Sequence, residues 1–82
     1  MTTITWTDFA EKIADYAGLE KEEVHQEMNI YADLGMDSLG LFSLGMYLIK
    51  TYGVEIPLAA VATIETVGDI FTLINAEIEK KP

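Results

Sequence analysis

The sequence predicts an all-α protein: a small antiparallel bundle of three longer helices and one short helix, with a long loop between helices one and two. Three segments carry apolar residues at the spacing of three and four that marks one face of a helix. Each of the three begins at a residue that commonly caps helices, and two of them end at a glycine. With 82 residues, we expect a single domain, 1–82, around one small core.

The first helix is predicted from Trp6 to Ala17, with Thr5 as its cap and Gly18 as its end. The segment 19–37 is too irregular for one helix. A turn of helix is possible around 22–27, and we interpret the whole segment as a structured loop. We expect its apolar residues to hold it against the core: Leu19, Val24, Met28, Ile30 and Leu34.

The second helix is predicted from about Ser38 to Tyr52, opened by Ser38 or Asp37 and ended by Gly53. Pro57 keeps the preceding residue extended, and a short third helix follows over 58–62. Thr66 and Asp69 give a second capping signal, for a last helix that runs to about Lys80.

The net charge of −9 comes from 14 acids against five lysines, with no arginine. Because nucleic-acid binding requires neutralisation of phosphates by Lys and Arg, this composition argues against it, and partners with basic surfaces are favoured. The absence of cysteine excludes disulfides and thiolate metal sites. No leader-like or membrane-spanning run occurs, so we expect a cytoplasmic protein without membrane attachment.

The residue types that enzymes need are nearly absent. His25 is the only histidine and lies in a charged run, which is typical of a solvated surface residue. Asp33, Gly35 and Asp37 lack the alternating ligands and closing glutamate of a calcium loop. We therefore predict no catalytic residue and no metal site.

The distinctive stretch is Leu34-Gly35-Met36-Asp37-Ser38-Leu39, a tight turn that brings a serine to the start of a helix. A serine there is ordinarily a cap. The position also favours phosphate chemistry, since helix N-termini stabilise anions, although the charge of Asp37 opposes this. From the residues alone, both interpretations stay open.

The stretch resembles the leucine-glycine-any-aspartate-serine-leucine signature of acyl and peptidyl carrier proteins. The resemblance covers essentially the whole chain, including the acidic loop, the helix order and the Ile56-Pro57 pair. It implies a non-catalytic carrier in which Ser38 bears a 4′-phosphopantetheine arm derived from coenzyme A. It further implies three kinds of partner: a phosphopantetheinyl transferase, for which Asp37 and Leu39 flank the site, an acyl- or aminoacyl-loading enzyme, and downstream synthase or tailoring enzymes.

The second helix departs from the pattern of fatty-acid carriers. It contains no Asp or Glu from Leu39 to Tyr52, and Gly40 and Ser43 stand where that family commonly has acids. We therefore expect a specialised pathway, such as polyketide, peptide-synthetase or modified fatty-acid synthesis. The alternative is an unmodified acidic adaptor that binds partners through this helix.

Helical spacing divides the second helix into two apolar faces. The inner face, with residues of the last segment opposite, is predicted to shelter cargo: Leu41, Leu44, Gly45, Leu48, Ile64, Val67, Ile70 and Phe71. Gly45 either leaves room for cargo or permits close helix packing. The outer face is predicted to bind partners, unless the loop or a second copy of the chain covers it: Leu39, Phe42, Met46 and Ile49.

Overall fold

The computed structural model describes residues 3–80, with the side chain of Leu58 excepted, and confirms the all-α fold. Its helices are α1 (Trp6–Ala17), α2 (Ser38–Tyr52), α3 (Leu58–Val61) and α4 (Val67–Lys80). The long loop contains one short 3-10 helix, Lys21–Glu23, which begins before the turn expected around 22–27. None of the helices within residues 3–80 combines the length with the apolar character that a membrane span requires.

Helices α1 and α2 run antiparallel, as their side-chain contacts show. The Tyr52 hydroxyl at the end of α2 donates a hydrogen bond to Asp8 Oδ2 near the start of α1, at 2.8 Å. Further along α1, the ring of Tyr16 lies 5.3 Å from that of Tyr47. The contact with Tyr52, together with Lys12 at 3.3 Å, lowers the pKa of the Asp8 carboxyl.

Helices α1 and α4 are antiparallel as well. The backbone N–H of Ile4 donates to Asn75 Oδ1 at 2.8 Å, so the chain before α1 lies beside the second half of α4. The ring of Phe71, on the first half of α4, lies 5.3 Å from the rings of both Trp6 and Phe9. The aromatic residues of α1 therefore belong to the core contact with α4.

The predicted ends of α1 and α2 are confirmed. Thr5 Oγ1 accepts from the backbone N–H of Asp8 at 3.1 Å, which caps α1. Gly18 and Gly53 end their helices with φ of 75° and 64°, a left-handed conformation in which a side chain is strained.

The cap of α4 is a reciprocal pair. Asp69 N–H donates to Thr66 Oγ1 at 3.1 Å, while Asp69 Oδ2 accepts from the backbone N–H groups of Thr66 and Glu65, both at 3.0 Å. These backbone hydrogen bonds lower the pKa of the Asp69 carboxyl from its ordinary value of 3.8.

Asp69→Asn is expected to weaken the dependence of stability on acid. Because the folded pKa of Asp69 lies below 3.8, its contribution is present above that pH and is lost as the pH falls through the folded value. Asparagine keeps an acceptor for both N–H groups but does not titrate. Urea unfolding on either side of pH 3.8 tests this, and equal acid dependence in variant and wild type would contradict it. Asp8 keeps its own acid dependence in both proteins.

The long loop is held against the start of α4 by backbone hydrogen bonds. Ile30 N–H donates to Glu65 O at 2.9 Å, Val67 N–H to Met28 O at 3.0 Å, and Gly68 N–H to Gln26 O at 2.9 Å. Val24 and Ile30 are buried, and the loop's other predicted anchors pack against the core: Leu19, Met28 and Leu34. The loop is therefore structured, as the sequence predicted.

Gly68→Ala is expected to destabilise the fold by about 1–3 kcal/mol. A Cβ at this position would lie 3.0 Å from the carbonyl oxygen of Gln26 and 3.2 Å from its Cβ, so the backbone of the loop would have to move. The matched control is Gly45→Ala in α2, where a Cβ meets nothing within 4 Å. Urea unfolding of the two variants measures the difference. A Gly68→Ala protein as stable as wild type would show that the loop moves freely at this point.

The core lies between the three long helices and the loop. Its largest fully buried side chains come from all four parts: Phe9, Ile13, Ile30, Leu44, Leu48, Ile74 and Val67. No polar side chain of the described residues is buried. The polar chemistry of the protein therefore lies at its surface.

Candidate functional site

The turn before α2 is tied down by its own side chains. Asn29 Oδ1 accepts from the backbone N–H groups of Tyr31 and Ala32, both at 2.9 Å, and Asp33 Oδ2 accepts from Asn29 N–H at 2.7 Å. Gly35 follows with φ of 68°, a value that favours glycine. These features fix the point at which α2 begins.

Asp37, rather than Ser38, is the cap of α2. Its backbone is extended, and its Oδ1 accepts from the backbone N–H of Gly40 at 2.8 Å. Ser38 is the first residue of the helix itself. Of the two capping residues that the sequence allowed, the structure selects the aspartate.

The hydroxyl of Ser38 is therefore not used as a cap. Ser38 is exposed, and within residues 3–80 its hydroxyl makes no hydrogen bond. It lies at a helix N-terminus, where the dipole stabilises a phosphate group. The site thus fits a phosphodiester on Ser38 Oγ. One carboxylate oxygen of Asp37 is occupied by the hydrogen bond from the Gly40 N–H.

An exposed apolar face follows Ser38 along α2. The exposed fractions are 78% for Leu39, 54% for Phe42 and 45% for Met46, while Ile49 is half-buried. The described part of the long loop leaves this face open. Ile49 is therefore the least exposed of the four, and like Phe42 and Met46 it also lines a cavity beside α2.

The cavity beside α2 has a volume of about 240 Å³. It exceeds the roughly 150 Å³ of an engineered apolar cavity that binds benzene. Every lining side chain is apolar, and the only residue without one is a glycine. The lining residues are Leu41, Phe42, Gly45, Met46, Leu48, Ile49, Ile56, Val61, Ile64 and Ile70.

The cavity differs from the cargo space predicted from the sequence. Five of the eight predicted residues line it: Leu41, Gly45, Leu48, Ile64 and Ile70. Leu44 and Val67 are buried in the core instead. Phe71 also lies elsewhere, because its ring packs against α1.

Sequence reasoning missed half of the lining. Ile56 and Val61 come from the irregular segment around α3, where no helical periodicity shows which way a side chain points. The Ile56-Pro57 pair was the available signal, since it holds that segment extended beside α2. Phe42, Met46 and Ile49 were assigned only to the outer face, although they contribute to both surfaces.

The two glycines within α2 have different surroundings. A Cβ on Gly40 would lie 3.3 Å from Met36 Cβ, which is a tight contact with the preceding turn. A Cβ on Gly45 would meet nothing within 4 Å. Close helix packing therefore does not account for Gly45, although glycine costs a helix about 1 kcal/mol relative to alanine.

The predicted absence of a metal site concerns His25 and the acidic side chains. His25 is exposed, and among residues 3–80 no cluster of three His, Asp or Glu side chains could hold a metal ion. The features that stand out are the exposed serine at the start of α2 and the apolar cavity further along the same helix.

Comparison with known proteins decides the family. The family model described as a phosphopantetheine attachment site matches residues 8–74. The chain belongs to the acyl carrier protein family. As in other carriers of this family, its cofactor is covalently attached 4′-phosphopantetheine.

Curated relatives of this carrier include a meromycolate extension acyl carrier protein of Mycobacterium leprae (strain TN). It is 36% identical over 73 residues, which are 89% of this chain and 64% of the relative. An acyl carrier protein of Syntrophobacter fumaroxidans is 44% identical over 59 residues, 72% of this chain and 73% of that one. The carrier thus spans less than two thirds of the Mycobacterium protein.

Solved structures share the fold over nearly the full carrier. The hexanoyl acyl carrier protein of the Streptomyces coelicolor actinorhodin polyketide synthase superposes with a TM-score of 0.82 at 24% identity, covering 99% of this chain and 98% of that one. The oxytetracycline acyl carrier protein gives a TM-score of 0.74 at 25% identity, with coverage of 100% and 90%. Both matches support the helical-bundle fold.

Proposed function

We propose that Ser38 is the attachment point of the 4′-phosphopantetheine arm and that the chain carries an acyl intermediate for a specialised biosynthetic pathway. The observation that carries the proposal is the state of the Ser38 hydroxyl. It is exposed and unpartnered among the described residues because Asp37 caps the helix in its place. A serine needed only as a cap would accept from a backbone N–H.

Attachment requires a nucleophile that an enzyme can reach. Ser38 Oγ forms a bond to the pyrophosphate phosphorus of coenzyme A that bears the pantetheine, and its proton passes to a base of the phosphopantetheinyl transferase. The pyrophosphate P–O bond breaks, and adenosine 3′,5′-bisphosphate leaves. The bound group then supplies a thiol that holds an acyl chain as a thioester. Asp37 and Leu39 flank Ser38 on the surface, where a transferase would recognise them.

Partner enzymes are proposed to dock on the outer face of α2, through Leu39, Phe42, Met46 and Ile49. The support is physical: three of these side chains are exposed, and α2 contains no acid after Asp37 with which to attract a basic patch. Full burial of one such side chain contributes about 1.5–3 kcal/mol, against about 0–1 kcal/mol for an exposed ion pair. Apolar contact would then hold the complex, and the acids of the first half would speed encounter.

The cavity beside α2 is proposed as the shelter for the acyl chain. Its lining begins with Leu41 and Phe42, one helical turn after Ser38. Relatives named for meromycolate extension and for polyketide synthases agree with a specialised pathway, and the apolar lining favours an acyl over an aminoacyl cargo. A cytoplasmic location stays a prediction from the sequence.

Intact-mass measurement tests the proposed function. Purified protein is treated with a broad-specificity phosphopantetheinyl transferase, magnesium and coenzyme A, with a known carrier as the positive control. The expected result is a gain of one phosphopantetheinyl group per chain. An unchanged mass beside a modified control would favour the alternative, an unmodified adaptor that binds through the exposed face of α2.

A further inference from the structure

We infer that Gly45 sets the length of the hydrocarbon chain that the cavity beside α2 can hold, and that the cargo is a hydrocarbon chain rather than a polyketone. The inference rests on the proposed function, since it concerns the cargo of the arm on Ser38. It makes Gly45 a residue that determines specificity by the space it leaves.

The missing side chain at Gly45 has one structural consequence, which is the space it leaves in the cavity. The residue lies in the middle of α2, where glycine is a poor helix former. The other glycines that follow Ser38 in or beside helices have identifiable reasons. A Cβ on Gly40 would crowd Met36, a Cβ on Gly68 would crowd the backbone of Gln26, and Gly53 has a positive φ. Gly45 has none of these, and it lines the cavity.

The wall around Gly45 indicates the chemistry of the chain. Leu41, Leu48, Ile64 and Ile70 supply only hydrocarbon, and no lining side chain can donate a hydrogen bond. A ketone oxygen buried there would lose its hydrogen bonds to water without replacement, which is costly. A methylene loses nothing, and each one that enters favours the sheltered state about fourfold. The lining therefore favours hydrocarbon chains over chains that carry ketones.

A series of loaded proteins tests both parts of the inference. Wild type, Gly45→Ala and Gly45→Leu are loaded by the transferase with coenzyme A thioesters of saturated chains of increasing length. The melting temperature of each loaded form is compared with that of the arm-bearing form without cargo. In wild type we expect it to rise with chain length and then level off once the cavity is full.

The variants are expected to shift the chain length at which the rise ends. Alanine fills the volume of about one methylene group, so the melting temperature should stop rising at a chain about one carbon shorter. Leucine should abolish the rise. A matched chain with ketones at alternate carbons should give no rise in wild type. Ser43 is exposed on the same helix, so Ser43→Ala controls for helix propensity. Its melting temperature should depend on chain length as in wild type.

A second measurement does not depend on the arm. Xenon enters dry apolar cavities, and its binding to the unmodified protein is expected to shift the methyl NMR signals of Leu41 and Ile70 in wild type but not in Gly45→Leu. Failure of the transferase to modify Ser38 would overturn the proposed function and leave this result standing. If loading succeeds and the melting temperature stops rising at the same chain length in wild type and Gly45→Ala, the inference is overturned. A wild-type rise with the ketone chain would overturn its second part.

Discussion

Ser38→Ala is expected to abolish phosphopantetheine transfer completely, while Ser43→Ala is expected to leave it unchanged. The chain contains only these two serines, five residues apart on α2 and both exposed. Alanine removes the attacking oxygen at position 38 but preserves the helix, because Asp37 supplies the cap. The measurement is intact mass after treatment with transferase and coenzyme A.

Circular dichroism of both variants provides the folding control for this pair. If Ser38→Ala folds like wild type and still gains the group, the attachment point lies elsewhere. If Ser43→Ala alone loses the group, the assignment of the two serines is reversed. Either outcome would contradict the role given to the start of α2.

Phe42→Glu is expected to lower the efficiency of loading by the cognate enzyme about 10- to 100-fold. Wild-type loading is expected to change little when the salt concentration is raised. The side chain is 54% exposed in the free protein, and its burial in a partner is worth about 1.5–3 kcal/mol. A carboxylate in an apolar interface would forfeit that contribution and resist desolvation. Thr51→Glu, exposed on a different side of α2, adds the same charge and is expected to have little effect.

The dependence on salt separates apolar docking from electrostatic docking. Exposed charge pairs weaken as ionic strength rises, whereas apolar contact does not. Wild-type loading that collapses in high salt, together with a nearly harmless Phe42→Glu, would show that charge holds the complex. The exposed face of α2 would then have another purpose.

Local signals in the sequence were sufficient for most of the fold. Thr5, the Thr66–Asp69 pair and the two terminal glycines, Gly18 and Gly53, act within one helical turn, so the ends of the long helices could be predicted from neighbouring residues. The inner face of α2 followed from periodicity, since Leu41, Leu44 and Leu48 are buried. Each of these features depends on interactions three or four residues apart.

Features that depend on distant contacts could not be predicted. The hydrogen bond from the Tyr52 hydroxyl to Asp8 joins residues 44 apart in the chain, so no local pattern indicates it. On α4, the sequence predicted that both Ile70 and Phe71 face the cargo space, but an edge-to-face contact with Trp6 holds Phe71 against α1. Packing between helices therefore decided the shape of the cavity.

The position of Ser38 in the fold was predictable, but whether its hydroxyl caps the helix was not. The motif around Ser38 located the serine at the start of α2. Whether its hydroxyl was engaged as a cap depended on the choice between two adjacent residues with the same capping ability. The structure resolves that choice through the 2.8 Å hydrogen bond from Gly40 N–H to Asp37.

Peptide mapping of the acyl-loaded protein tests the central claim most directly. Cleavage after lysine yields a peptide spanning 22–50, which contains both serines, and fragmentation distinguishes them. We predict that the phosphopantetheine mass lies on Ser38 and that the additional acyl mass is released by hydroxylamine, as a thioester requires. An acyl group that resists hydroxylamine, or an arm found on any other residue, would contradict the account.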